Sequence, residues 1–162
     1  MDEQADVPEV RPPTVEDVRR LCRALAGAQA RYVLIGGFAV ILHGGERTTK
    51  DIDLLVDPAP ENVARLKQAL SILEDDAARD ICPEDFQKYK VVRVADEVMV
   101  DLLSAACGVT WEQAHGSAEL RDLDGVPVIV ADPATLILTK LTPRPSDAAD
   151  RAWLEALSAS DG

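Results

Sequence analysis

Two aspartates separated by one apolar residue, Asp51-Ile52-Asp53, are the first feature of this sequence with chemical content. On a β-strand, residues i and i+2 point to the same face. Both carboxylates then project together, while Ile52 and Leu54 turn into a core. Two parallel carboxylates repel each other unless a cation lies between them. A divalent ion with oxygen ligands resolves the repulsion, so the pattern predicts metal at Asp51 and Asp53. A third acid, Asp101, sits in Val98-Met99-Val100-Asp101-Leu102-Leu103. A carboxylate within an apolar strand is costly without a partner. If its strand neighbours the 51–56 segment, Asp101 completes the cluster; otherwise it is a strand-end acid that faces solvent or pairs with a lysine. Upstream, separated from Asp51 by thirteen residues, stands Gly36-Gly37. Two residues without side chains let a phosphate approach the backbone, and a helix that starts there offers free N–H groups to the anion. Each feature alone is commonplace; their ordered combination points to phosphate and metal chemistry.

These residues need elements to hold them. Thr14 reads as an N-cap with Asp17 in the capping-box position. Val15, Val18, Leu21, Cys22 and Leu25 then recur at helical spacing, so a first helix is predicted to about Ala28. Residues 31–35 read as a strand that stops at the glycine pair, and 38–42 as a short helix ended by His43-Gly44-Gly45. A strand over 51–56 precedes an amphipathic helix over 61–73, whose apolar face is Val63, Leu66, Leu70 and Leu73, with Asn62 largely off it. Strands over 90–95 and 98–103 are joined at Asp96-Glu97, and 120–130 reads as a second hairpin around Asp124-Gly125. Between them 111–115 reads as a short helix. Asp132 caps a helix to Leu141 with Pro133 at its first position, and a last helix is predicted over 147–157. Strands and helices intermix, so the fold class is α+β, or mixed α/β, around a small mixed sheet flanked by helices. Residues 1–13, acidic and proline-bearing, read as a flexible arm before a single domain over 14–162.

Composition narrows the function. The chain of 162 residues is 47% hydrophobic but only 4% aromatic, which leaves little material for base-stacking platforms. A formal net charge of -12 excludes the broad basic surface that holds a duplex by its phosphates. The three cysteines, Cys22, Cys82 and Cys107, form no CxxC pair and predict reduced, mostly buried thiols in a cytoplasmic protein. The N-terminus is no signal peptide, and no apolar run approaches the ~20 residues that span a bilayer.

The string Gly36-Gly37-Phe38-Ala39, Gly44, Arg47-Thr48-Thr49-Lys50-Asp51-Ile52-Asp53-Leu54-Leu55-Val56, followed by Asp101, resembles the DNA polymerase β-type nucleotidyltransferases. It is closer still to compact prokaryotic members related to the AbiEii-type abortive-infection toxins and the minimal nucleotidyltransferases. The resemblance continues through Leu136-Ile137-Leu138-Thr139-Lys140-Leu141 and Asp147-Ala148-Ala149-Asp150, and covers about residues 30–157. It implies transfer of a nucleoside monophosphate from a triphosphate such as ATP to an acceptor hydroxyl, with release of pyrophosphate. Asp51, Asp53 and Asp101 would be catalytic and would bind Mg2+ or Mn2+ in a two-metal arrangement. Gly36 and Gly37 would contact the phosphates, although many relatives carry Ser where Gly37 stands. The acceptor would be an RNA end, a protein or a small molecule. A toxin–antitoxin or phage-defence setting with an antitoxin-type partner follows from the same analogy.

Supporting positions keep two readings each. Arg47 and Lys50 either neutralise phosphate or offset the neighbouring acids. Lys140 either reaches the nucleotide or pairs with Asp147 or Asp150, themselves read as first-turn acids of the last helix. His43 and His115 read as structural or exposed, and Trp111 and Trp153 as packing residues. For the whole chain the alternative is an inactive nucleotide- or partner-binding module with the same fold. A structural calcium site is disfavoured, because the EF-hand loop pattern is absent.

Overall fold

The computed structural model describes residues 10–160. A capped helix, α1 (Val15–Gly27), leads into strand β1 (Tyr32–Ile35) and directly into helix α2 (Gly36–Leu42). Strand β2 (Asp51–Val56) and helix α3 (Pro60–Leu70) follow. A one-turn helix, α4 (Asp85–Lys88), precedes the hairpin of β3 (Val91–Ala95) and β4 (Met99–Leu103). A minimal hairpin, β5 (Ala105–Ala106) and β6 (Val109–Thr110), leads to α5 (Trp111–Gly116). The chain then forms β7 (Glu119–Leu123), β8 (Val126–Val130), α6 (Pro133–Thr139) and α7 (Pro145–Ser160).

Six strands make one mixed sheet in the order β3-β4-β2-β1-β8-β7. β2 pairs antiparallel with β1 and parallel with β4, so the strand that carries Asp51 and Asp53 lies inside the sheet. Its apolar residues anchor it: Ile52, Leu54, Leu55 and Val56 are at most 1% exposed. On β4, Val100 and Leu102 are likewise buried. Helix α1 packs on α3 and β8, α2 packs on β1 and β2, and α6 joins α2 to α7. The α+β expectation, a small mixed sheet flanked by helices, matches this architecture. Among the described residues no helix is long and apolar enough to cross a membrane.

Local chemistry explains most boundaries. Thr14 and Asp17 form the expected reciprocal capping box. Arg11 forks onto the same Asp17 carboxylate with two 2.7 Å bonds, which holds that carboxyl down near 2. Arg11 and Arg20 also reach Glu97 in the β3–β4 connection. Of the arm expected over 1–13, residues 1–9 lie outside the described residues, and Arg11 ties the remainder to the domain. Asp124 and Gly125 both take positive φ in a two-residue hairpin, as their types predict.

Several expectations need correction. The connection between β3 and β4 is three residues long, because Ala95 pairs with Met99. Helix α2 starts at Gly36 itself, two residues earlier than predicted, since positive φ there turns the strand straight into the helix. Helix α3 stops at Leu70, short of Leu73, and α6 stops at Thr139, short of Leu141. Only Cys22 is a buried thiol; Cys82 and Cys107 are exposed. Asn62, expected off the apolar face, is fully buried. It accepts from the Arg31 main-chain N–H (2.7 Å) and donates to the carbonyls of Arg31 (3.0 Å) and Asp57 (2.8 Å). One amide side chain thus satisfies main-chain groups at the ends of both β1 and β2.

Asn62→Leu leaves the Arg31 N–H and the Asp57 carbonyl without that partner, while the Arg31 carbonyl keeps the Asp57 N–H. It is expected to cost at least about 2 kcal/mol, at 1–3 kcal/mol for each buried group left unsatisfied, read from urea unfolding midpoints. A loss below about 1 kcal/mol contradicts this role.

Candidate active site

The parallel pairing of β2 with β4 sets Asp53 directly beside Asp101. Asp51 lies two residues along β2 on the same face. One carboxylate oxygen from each of Asp51, Asp53 and Asp101 falls within 4.8 Å of the others. The structure therefore brings together the three acids singled out in the sequence.

The three are held differently. Asp101 is buried, and Arg93 of β3, its cross-strand partner, forks onto it. Arg93 Nε donates to Oδ1 at 2.8 Å and Nη2 to Oδ2 at 3.0 Å. The same Nη2 lies 3.6 Å from Asp51 Oδ2. Asp53 accepts no hydrogen bond among the described residues. Burial, then the charges of Asp101 and Asp51, push its carboxyl up to about 7, against the opposing pull of Lys140 and Arg93. A carboxylate destabilised by two neighbours and lacking a donor fits a hard divalent cation, as does an all-oxygen donor set.

The glycine pair has two separate jobs. A Cβ at Gly36 would sit 2.2 Å from Asp53 Oδ2, and φ there is +73°, so both space and backbone require glycine. Gly36 lines the cleft above the acids; Gly37 does not. A Cβ at residue 37 would lie 2.7 Å from Thr49 Cβ and 2.8 Å from Thr49 Oγ1. Gly37 thus admits the 46–50 segment against α2, where Thr49 Oγ1 bonds the Asp51 carbonyl at 3.2 Å. The structure places Gly37 under that segment, not on the cleft wall where a phosphate would approach it.

The basic candidates separate in the same way. Lys140 caps the end of α6, is 4% exposed and lines the cleft. Its Nζ bonds Asp150 Oδ2 at 2.9 Å and lies 3.9 Å from Asp147. Arg47 donates to the same Asp150 oxygen and to the Thr48 carbonyl, away from the cleft lining. Lys50 is exposed and also outside that lining. Because α7 begins at Pro145, Asp147 stays in the first turn, but Asp150 falls in the second and is buried. Asp150 is therefore no cap; it joins the 47 segment, the end of α6 and α7 through two cations. Arg151 reinforces the joint by donating to the carbonyls of Lys140 and Thr142. His43 is structural as expected, with Nε2 2.9 Å from the Ala131 carbonyl, and Trp111 stacks on His115.

The cleft holds about 600 Å³. Asp51, Asp53 and Asp101 line it, together with the cations Lys90, Arg93, Lys140 and Arg144. Sequence reading missed Lys90, Arg93 and Arg144. The available signal was Arg93 alone, a guanidinium set between Val92 and Val94 on a strand paired with that of Asp101.

A mixed sheet that presents Asp-x-Asp from one strand and a third aspartate from its parallel neighbour, beneath a glycine-started helix, defines a nucleotidyltransferase-type domain. The comparisons agree. The family model described as nucleotidyl transferase AbiEii toxin, type IV toxin–antitoxin system, matches residues 19–143. The chain belongs to that family and is a transferase. Its fold is similar to the crystal structure of a Thermotoga maritima protein assigned provisionally as a nucleotidyltransferase. The two share 16% identity with a TM-score of 0.57, over 91% of this chain and 96% of that one. No curated protein matches the chain.

The raised Asp53 carboxyl has a sign that can be checked. Its folded value near 7 lies above the ordinary 3.8, so ionisation penalises the fold increasingly between about pH 4 and pH 7, and constantly above. Asp53→Asn is therefore expected to raise Tm at pH 8 in EDTA, with the gain shrinking as pH falls towards 4. An Asn variant that melts lower than the parent at pH 8 contradicts the electrostatic account.

Proposed function

We propose that this cleft transfers a nucleoside monophosphate from a nucleoside triphosphate to an acceptor hydroxyl. The observation that carries the reading is Asp53, a carboxylate without a donor, set between Asp51 and Asp101 in a cleft lined by four cations. In the reaction the acceptor oxygen forms a bond to the α-phosphorus, the bond to the pyrophosphate oxygen breaks, and the hydroxyl proton leaves towards Asp101. A divalent cation, Mg2+ or Mn2+, held by Asp51 and Asp53 with Asp101, supplies charge neutralisation for the phosphates and the attacking oxygen. Lys90 and Arg144 have no ion-pair partner among the described residues and face the same cleft, so they suit the outer phosphates. Lys140 is held by Asp150 within reach of Asp53's field and keeps that end of the site positive. The Gly36 main chain can pass close to a phosphate because no side chain intervenes. Phosphoryl transfer needs mostly positioning and charge compensation of this kind.

The acceptor belongs to one of three classes: an RNA end, a protein hydroxyl or a small molecule. The family places such chains in toxin–antitoxin systems, which supports an antitoxin-type partner. Three free cysteines, two of them exposed, support a reducing cytoplasm. A second reading, a nucleotide-binding module without turnover, draws on Arg93, which already engages both oxygens of Asp101.

Transfer from α-labelled ATP, GTP, CTP and UTP with Mg2+ separates the two readings. RNA, lysate protein and the chain itself serve as acceptors. Label is expected on one acceptor class, and Asp53→Ala is expected to reduce it at least ~100-fold, since even residues that only support metal ligands cost 10–100-fold. Nucleotide binding with no label on any acceptor favours the module.

A further inference from the structure

The cation nearest the acid cluster is part of the protein. Among the described residues, Arg93 is the one basic side chain within ion-pair distance of Asp51 or Asp101, and it touches no other acid. Its fork engages both Asp101 oxygens, so a metal or a hydroxyl proton at Asp101 must share those oxygens with a guanidinium and sit beside its positive charge. The Asp53 carboxylate, by contrast, accepts no hydrogen bond and has no ion-pair partner among the described residues. The three acids are therefore not equivalent. One position, at Asp53, is open, one, at Asp101, is already forked by a guanidinium, and Asp51 lies at the margin of that same guanidinium.

Arg93 also lies where its side chain has room to turn. β3 is the edge strand of the sheet, and the Arg93 side chain is 56% exposed, whereas that of Asp101 is 8% exposed. Rotation about the arginine side-chain bonds carries the guanidinium away from Asp101 without moving the buried strand. Arg93 lines the same cleft as Lys90 and Arg144, so a phosphate bound there offers it an alternative bidentate partner.

We propose that Arg93 is a place-holding counter-ion, a positioning residue that neutralises Asp101 while the site is empty and passes it on when a triphosphate draws the guanidinium away. This inference rests on the metal-dependent reading above. In it, cation and nucleotide assist each other through one side chain: nucleotide removes the competitor for Asp101, and occupation of Asp101 frees Arg93 for the phosphates. Such coupling is reciprocal by thermodynamic necessity.

The sign of one measurement decides. A residue that merely supports the metal ligands lowers metal affinity when removed; a competitor raises it. Mn2+ alone, without nucleotide, is titrated into the full chain and its Arg93→Gln, Arg93→Lys and Asp53→Asn variants, with free Mn2+ followed by electron paramagnetic resonance. Arg93→Gln is expected to bind Mn2+ about tenfold more tightly than the parent, the worth of one charge-assisted hydrogen bond. Arg93→Lys, which keeps the charge but not the fork, is expected to fall between them; it also serves as the folded control should the Gln variant melt early. Arg93→Gln and Arg93→Lys affinities equal to or weaker than the parent's, with binding still abolished by Asp53→Asn, overturn the role of Arg93 and leave the metal site standing. No Mn2+ binding by the parent or either Arg93 variant overturns the metal reading and this inference together.

Discussion

Everything in this molecule that bears on chemistry depends on the in-step parallel pairing of β2 with β4. That ladder sets Asp53 beside Asp101 and keeps them there although like charges repel. The resistance comes from the other face of the same strands. Ile52, Leu54, Val100 and Leu102 are all but inaccessible to water, so neither strand can rotate its acids outward without exposing its apolar residues. A one-residue slip would exchange the two faces completely. The hydrophobic core is thus the agent that holds an unfavourable electrostatic arrangement in place, and the Asp53 carboxyl is raised first by its own burial and then by the two acids beside it.

How much of this was legible in the sequence varies with the distance between partners. Asp51 and Asp53 were readable because a period of two needs only the local strand. The capping box at Thr14 and the hairpin at Asp124-Gly125 were readable for the same local reason. Arg93 was not, and the cause is one residue. A two-residue connection at Asp96-Glu97 places Arg93 opposite Val100, on the face away from the acids. The actual three-residue connection places it opposite Asp101. Asp96 holds that longer turn by accepting from the main-chain N–H groups of Asp75, Ala77 and Glu97, a contribution that needs the folded loop to be seen. Asn62 was misread because polarity alone suggests solvent, while Arg31 lies 31 residues away. The Lys140–Asp150 pair was one of two legible readings, but its second cation, Arg47, lies 103 residues from Asp150 and was not.

The glycine pair shows how one motif can hide two constraints. Gly36 is required by the carboxylate beside it, Gly37 by the threonine packed against it. Both look alike in sequence, yet one shapes the cleft and the other seats the segment that leads into β2. Basic residues divide likewise. Arg47 lies in the motif and serves the Asp150 joint, whereas Lys90 and Arg144 lie outside it and face the cleft.

That joint has a temporal consequence. The three acids are all in place in the chain by residue 101, whereas Lys140 and the aspartate that anchors it arrive some forty to fifty residues later. During synthesis the three acids, with Lys90 and Arg93, leave the ribosome well before Lys140, Arg144 and Asp150, and contacts of such long separation form slowly. The nascent chain therefore passes through an interval in which the acidic strands can pair but the cleft still lacks the wall that α6 and α7 supply.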